Sequence, residues 1–139
     1  MAQISKSAAT LRISGDDLIP SEITNILGCK PTFEQIKDQE IVGKNTGHKH
    51  IALTGMWRLQ AKKYKPENLD LQINEIFEQL SKDLNKWKTL SSKYDLDLFC
   101  GIFMEKEMEG MEVSVNSLKT LSERGIRLGL DIYGPDEKA

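Results

Sequence analysis

The chain has few of the residues on which most catalytic and metal sites depend. Its 139 residues include only two cysteines and two histidines. Cys29 and Cys100 form no zinc-type pair, and two lone thiols in a cytoplasmic domain are more often small buried hydrophobes than a disulfide or a nucleophile. No nucleophile lies beside a histidine base, and no carboxylate pair has binding features around it. We therefore expect a non-enzymatic protein without a cofactor or metal; an enzyme whose groups meet only in space is the alternative.

The chain also lacks a charge excess and a long apolar run. A net charge of −2 and a pI of about 5.7 give no general attraction to nucleic acid or to an anionic membrane. No apolar run approaches the roughly 20 residues of a membrane-spanning helix, and residues 1–6 lack the apolar core of a secretory signal. We expect one cytoplasmic domain over residues 1–139, with a polar tail from about residue 134.

Hydrophobic periodicity predicts the elements. Apolar and polar residues alternate over residues 8–14, 95–104 and 126–133, as in half-buried strands, and 51–62 is also extended with a break near Gly55. Helical spacing predicts short helices over 20–28 and 116–125, and one long helix of five turns from Leu69 to Trp87. The stretch 30–50 is irregular and either forms a flap or contains a short strand.

This order of elements predicts the fold class. Strands and helices mixed in this way favour an α+β domain with a mostly antiparallel sheet and its helices on one face. A ferredoxin-like sandwich or a variant of it fits best. In the strand over 126–133, Ile126, Leu128, Leu130 and Ile132 are predicted to face the core.

The face of the sheet without helices is the first candidate site. Aromatic and arginine residues are the usual anchors of protein interfaces, and arginine can also clamp a carboxylate or phosphate. Gly101 and Gly129 would leave room in the middle of this face. In the alternative interpretation, the stretch 30–50 or a second sheet covers the face, and Arg127 merely pairs with Asp131. The residues predicted on the face are Arg12, Arg58, Phe99, Phe103, Arg127, Asp131 and Tyr133.

Two polar clusters are weaker candidates. An acidic turn follows the strand over 95–104 and is either a solvated hairpin tip or a patch that meets a basic partner. His48 and His50 would share one side of an extended segment, but a metal site needs further ligands, so we interpret them as a solvated loop. The acidic turn contains Glu105, Glu107, Glu109 and Glu112.

Seven short segments, spread over nearly the whole chain, carry a resemblance. The segments are 11–15 (LRISG), 20–24 (PSEIT), 27–28 (LG), 31–32 (PT), 55–59 (GMWRL), 118–122 (LKTLS) and 130–133 (LDIY). In this order they resemble an uncharacterised bacterial family, domain of unknown function 4279, although the family's usual glycine-lysine-glycine stretch is only loosely matched by residues 42–44 (VGK). The resemblance implies a small bacterial cytoplasmic domain and brings no established activity or catalytic residues.

Three functional hypotheses follow. By analogy with families of this size, the first is an immunity-type protein that neutralises a toxin by binding and occluding it. The second is a module that binds a small ligand or single-stranded nucleic acid on the open sheet face, although the acidic pI weighs against nucleic acid. The third is a metal-dependent enzyme centred on His48 and His50. No membrane partner is expected, and the sequence leaves open whether an exposed edge strand or the open face forms a homodimer.

Overall fold

The computed structural model describes residues 2–135; residues 136–139 of the predicted polar tail lie outside the described residues. The helices and strands are, in chain order, β1 Ala2–Gln3, β2 Lys6–Gly15, α1 Pro20–Leu27, β3 Phe33–Gln35, β4 Glu40–Val42, β5 Lys49–Ile51, β6 Gly55–Gln60, α2 Leu69–Glu78, α3 Leu84–Lys93, β7 Asp95–Phe103, β8 Glu109–Gly110, α4 Val115–Glu123 and β9 Arg127–Tyr133.

A five-stranded sheet in the order β3-β6-β2-β7-β9 organises the fold. Every neighbouring pair in it is antiparallel except β7 and β9, which are parallel. The predicted α+β class with a mostly antiparallel sheet is confirmed. Because α4 joins two adjacent parallel strands, the β7–α4–β9 unit differs from the split unit of a ferredoxin-like sandwich, and the fold is a variant of it.

The core lies on one face of this sheet. The inward positions of β2, β6 and β7 are almost fully buried, including Leu11, Trp57 and Leu98. Each helix contacts a different strand: α1 contacts β6, α2 contacts β2, α3 contacts β7 and α4 contacts β9. Since side chains alternate along a strand, covering this face leaves the other one uncovered by helices.

The predicted five-turn helix is wrong, because the chain forms two helices, α2 and α3. Between them Ser81 donates its backbone N–H to Leu27 O at 2.9 Å, and Trp87 Nε1 donates to Ser81 O at 2.8 Å. Asp83 is extended (φ −73°, ψ 106°), and its carboxylate caps α3. The apolar spacing continues across the break because both helices bury side chains in one core, but Leu84 at the start of α3 is exposed.

The stretch 30–50 contains short strands, as one of the two alternatives predicted. β3 pairs with the edge of β6, and β4 pairs with β5 in a separate two-stranded sheet. The predicted end of α1 is confirmed, because Gly28 adopts the left-handed conformation (φ 79°) that favours glycine. This stretch extends the sheet sideways and leaves its open face uncovered.

The prediction that β9 turns an apolar face to the core is only partly correct. Leu128 is half-buried, but Leu130 is 45% exposed and Ile132 is 58% exposed. β9 is the outermost strand, so the helical cover reaches only its beginning. The alternation of apolar and polar residues correctly predicted which side of the sheet each side chain of β9 occupies. It did not predict how far the helical layer extends over this strand.

A carboxylate joins α2 to the beginning of α4. Asp70 Oδ1 accepts hydrogen bonds from Ser117 Oγ at 2.6 Å and from the Ser114 N–H at 3.0 Å. Burial alone would raise the pKa of Asp70, but these hydrogen bonds outweigh it and hold the pKa below its ordinary value. Asp70 therefore stabilises the fold above the pKa of the unfolded chain, and this contribution disappears as the pH falls through the folded value.

Asp70→Asn should lower the free energy of unfolding at pH 7 by about 1 kcal/mol. The difference from wild type should stay constant down to about pH 5 and shrink below about pH 4, where the aspartate of the wild type protonates. Urea unfolding at several pH values measures this difference in free energy of unfolding. Asp17→Asn, in the exposed turn after β2, is the control and should change little. If the loss in free energy of unfolding caused by Asp70→Asn did not depend on pH, the stabilising role of the ionised Asp70 carboxylate would be wrong.

Candidate functional site on the open sheet face

All seven residues predicted on the open face lie there, and each is half-exposed or exposed. The register aligns one cross-strand row over all five strands, because Arg12 lies opposite both Arg58 and Asp97. Phe33 continues the row on β3 and Arg127 continues it on β9. Within residues 2–135, neither the stretch 30–50 nor a second sheet buries this face.

Arg12 is fixed at the centre of this row. Its guanidinium forms a bidentate ion pair with Asp97, with Nε and Nη2 donating at 2.9 and 2.6 Å. It also lies 4.5 Å from the centroid of the Phe99 ring. The side chains of Arg12 and Asp97 are 34% and 14% exposed, so the pair is partly removed from water. The hydrogen bonds to Asp97 raise the pKa of Arg12, which stays charged.

A second bidentate pair lies beside the first and corrects one expectation. Arg127 donates to the two carboxylate oxygens of Asp95 at 2.6 and 3.0 Å, and not to Asp131 as the alternative interpretation predicted. Its side chain is 65% exposed and that of Asp95 is 59% exposed. Asp131 instead accepts a long hydrogen bond, 3.5 Å, from the Tyr133 hydroxyl. Arg127 is therefore oriented, but in contact with water.

Arg58 differs from the other two arginines of the face. It takes part in none of the ion pairs formed among residues 2–135, and its guanidinium lies 5.0 Å from the centroid of the Phe33 ring. Burial and the neighbouring positive charge of Arg12 lower the pKa of Arg58, although arginine remains protonated at neutral pH. Because Arg58 has no carboxylate partner among residues 2–135, an incoming carboxylate or phosphate can bind it without displacing one.

The aromatic residues form two separate groups. Phe103 stacks on Tyr133 with ring centroids 4.9 Å apart, and Lys6 Nζ lies 4.3 Å from the Phe103 centroid. Phe99 is opposite Gly129 on β9, where an added Cβ would come no nearer than 3.9 Å to another group. Gly129 therefore presents no side chain beside the Phe99 ring, and one added there would meet no clash with its backbone neighbours.

The sequence-based list missed four residues that shape this surface. Asp95 and Asp97 lie on the open side of β7 and pair with Arg127 and Arg12. Lys6 and Phe33 lie at the two ends of the face and contact Phe103 and Arg58. A consistent strand register would have identified them, but register depends on pairs distant in sequence, such as Arg12 and Asp97.

The acidic turn follows the end of β7, the strand that carries Phe99 and Phe103. Glu105, Glu107 and Glu112 are exposed and Glu109 is half-exposed. A carboxylate oxygen of Glu109 accepts the backbone N–H of Glu105 at 2.9 Å. None of the four takes part in an ion pair within the described residues, so their charges are available to a basic partner.

The other candidates do not assemble into a site. His48 and His50 are exposed, and residues 2–135 contain no cluster of three or more potential metal ligands. Cys100 is buried in the core, and burial raises the pKa of its thiol to about 12, so it is un-ionised at neutral pH. Cys29 is half-buried against the core. None of the helices in the described chain combines the length and the apolar character needed to cross a membrane.

Comparison with known proteins identifies a family and no relative of known activity. No curated protein and no solved structure matches the chain. A family model described as "Domain of unknown function (DUF4279)" matches residues 3–135, which include every strand of the central sheet and the whole open face. The chain therefore belongs to the DUF4279 family.

Proposed function

We propose that this chain is a non-enzymatic binding protein of the bacterial cytoplasm, of the immunity type, that neutralises a toxin by occluding its active surface. The open sheet face is the docking surface. The observation that carries the proposal is a face without helices on which Arg12 and Arg127 are held by ion pairs beside aromatic rings. Arginine and aromatic residues dominate the binding energy of protein interfaces.

Preorganisation favours a protein partner. Arg12 and Arg127 are each held by two hydrogen bonds to an aspartate, so they lose little side-chain freedom when a partner binds. Arg58 offers positive charge for a carboxylate of the partner, and Gly129 leaves the edge of the Phe99 ring without a neighbouring side chain on β9. The face therefore combines a cation that has no carboxylate partner with two arginines that are held in place.

The acidic turn extends the proposed surface. Many toxins that act on nucleic acid carry basic active surfaces, and clustered carboxylates would attract such a surface over several ångströms. The exposed Glu105, Glu107 and Glu112 would speed association more than they would strengthen the complex. High salt should therefore slow association while leaving dissociation nearly unchanged.

A small-ligand or single-strand-binding module is the second candidate, favoured by Arg58, which forms no ion pair among residues 2–135. Two observations weigh against nucleic acid. Both flanks of Phe103 are occupied, by Tyr133 and by Lys6, which leaves it unavailable for stacking on a base. Arg12 and Arg127 already bind carboxylates, which would repel a phosphate backbone. Titration with a single-stranded oligonucleotide at low and high salt tests this candidate, since phosphate recognition must weaken with salt.

The test of the proposal uses toxin-like proteins encoded beside this gene. Co-expression should rescue growth, and calorimetry with the purified pair should show Arg58→Ala raising the Kd about 30-fold or more, as for an interface hot spot. Lys86→Ala, an exposed cation on the helical side, is the matched control and should leave Kd within about two-fold. A neighbourhood without a toxin-like gene, or a complex insensitive to Arg58→Ala, contradicts the proposal.

A further inference from the structure

The two edges of the central sheet are protected very differently. β3, at one edge, has three residues and follows Pro31. β9, at the other edge, has seven residues, contains no proline or lysine, and pairs with β7 in an uninterrupted register from Arg127 to Tyr133. Long, regular edge strands are templates for pairing with another strand, and proteins normally shorten, bulge or charge them.

The free backbone groups of β9 can be identified. Met104 N–H donates to Tyr133 O at 2.9 Å, so the Tyr133 backbone points towards β7. In a parallel ladder the N–H and C=O of alternate residues point to opposite sides of the strand. The backbone groups of Leu128, Leu130 and Ile132 therefore point outwards, where nothing within residues 2–135 hydrogen-bonds to them.

We propose that the occupant of this edge is the β9 strand of a second copy of the chain, antiparallel and related by a two-fold axis at Leu130. In this register Leu130 pairs with its own symmetry mate, and Leu128 pairs with the partner's Ile132. These are the residues whose backbone groups point outwards, so every pair can exchange both hydrogen bonds. An isologous arrangement of this kind is the commonest way in which identical chains associate.

The side chains complement each other in the same register. On the core side, Leu128, Leu130 and Ile132 meet the same three residues of the partner and bury their exposed apolar surface. On the open side, Arg127 lies opposite the partner's Tyr133 and diagonal to the partner's Asp131, so opposite charges become neighbours. A two-fold axis at Gly129 would instead place Ile132 opposite the partner's Ile126, which precedes the strand and has its side chain in the core.

Helix α4 continues the apolar surface beyond the strand. Asn116 and Thr120 line a cleft between α4 and α2. Leu118 lies on the opposite flank of α4, given 3.6 residues per turn, and it is 48% exposed. Pairing of the β9 strands would bring two copies of this flank together over the joined sheet. The open faces of both copies would then form one continuous surface.

The first experiment measures the oligomeric state of the full chain by sedimentation equilibrium from about 1 to about 100 μM, which covers micromolar dissociation constants. We expect a dimer of the 15.7 kDa chain. Leu130→Lys places like charges face to face on the axis and should give a monomer with an unchanged circular dichroism spectrum. The matched control is Leu71→Lys on α2, where Leu71 is 43% exposed, and it should remain dimeric.

The second experiment tests the register in a Cys29→Ser background. Leu130→Cys places two thiols on the axis, with Cα atoms about 5.5 Å apart, and should oxidise to a disulfide-linked dimer. Ile132→Cys would hold its two thiols on Cα atoms about 14–15 Å apart and should not cross-link. If the chain is still a monomer at about 100 μM, the proposal is wrong, and the free edge of β9 would instead pair with a strand of another protein. A dimer that survives Leu130→Lys, or one that cross-links through residue 132, also overturns it. Neither result depends on toxin binding.

Discussion

Replacing Trp57 with alanine should lower the free energy of unfolding by about 3–5 kcal/mol, the usual cost of removing a buried aromatic residue. Trp57 is fully buried on the core face of β6, and its Nε1 donates to Thr24 Oγ1 at 3.1 Å. The substitution would leave a cavity between β6 and α1 and an unpaired hydroxyl. Urea unfolding followed by far-UV circular dichroism measures the change, and Trp87 provides a second, fluorescent probe.

Two variants separate packing from hydrogen bonding at this position. Trp57→Phe keeps a ring in the core but removes the indole donor, and we expect it to cost about half as much as alanine. Leu53→Ala, at a largely exposed apolar residue in the loop before β6, should change stability by less than about 0.5 kcal/mol. A Trp57→Ala variant as stable as wild type would mean that the β6–α1 contact is not part of the core.

The position of Trp57 explains why short segments were enough to recognise the family. The segments 11–15, 20–24 and 55–59 are distant in sequence, yet they meet around this side chain. Thr24 accepts its hydrogen bond, and a Cβ added to Gly55 would lie 2.8 Å from the carbonyl oxygens of Gly15 and Leu18. These contacts maintain the fold. The resemblance therefore rests on residues that maintain the fold and says nothing about a reaction.

Strand alternation predicted the open face because it is a local property. Once residues 8–14 and 95–104 are strands, the side of the sheet that Arg12 or Phe99 occupies follows from the parity of its position. The ion pairs are not local. Arg12 meets Asp97 across 85 residues of sequence, and Arg127 binds Asp95 rather than Asp97, which lies directly opposite it. Which aspartate each arginine binds depends on the strand register and on the length of the side chains.

The two incorrect predictions have a common cause. Apolar spacing reports which side chains avoid water, but two helices in one core give nearly the same spacing as one long helix. The capping carboxylate of Asp83 was the local signal for the break. In β9 the same spacing continues into Leu130 and Ile132 although no helix covers them. An apolar row at an edge strand is typical of surface that meets another chain.

Asp97→Ala should lower the free energy of unfolding by about 2 kcal/mol, between the costs of breaking an exposed and a fully buried ion pair. It would leave Arg12 partly buried without a counter-charge and beside Arg58, whose positive charge repels it. The open face would lose its central fixed group, so partner affinity should fall together with stability. Urea unfolding and calorimetry measure the two effects separately.

Asp95→Ala is the matched control, because it removes the other bidentate pair from the same face. Asp95 and Arg127 are mostly exposed, so water replaces the lost partner and stability should change far less than with Asp97→Ala. A double-mutant cycle of Arg12→Ala and Asp97→Ala should show strong coupling, because each residue alone leaves the other unpaired. Equal losses for Asp95→Ala and Asp97→Ala would contradict this interpretation, since burial would then not distinguish the two pairs. Unequal losses in stability with equal losses in partner affinity would instead mean that both arginines contact the partner directly.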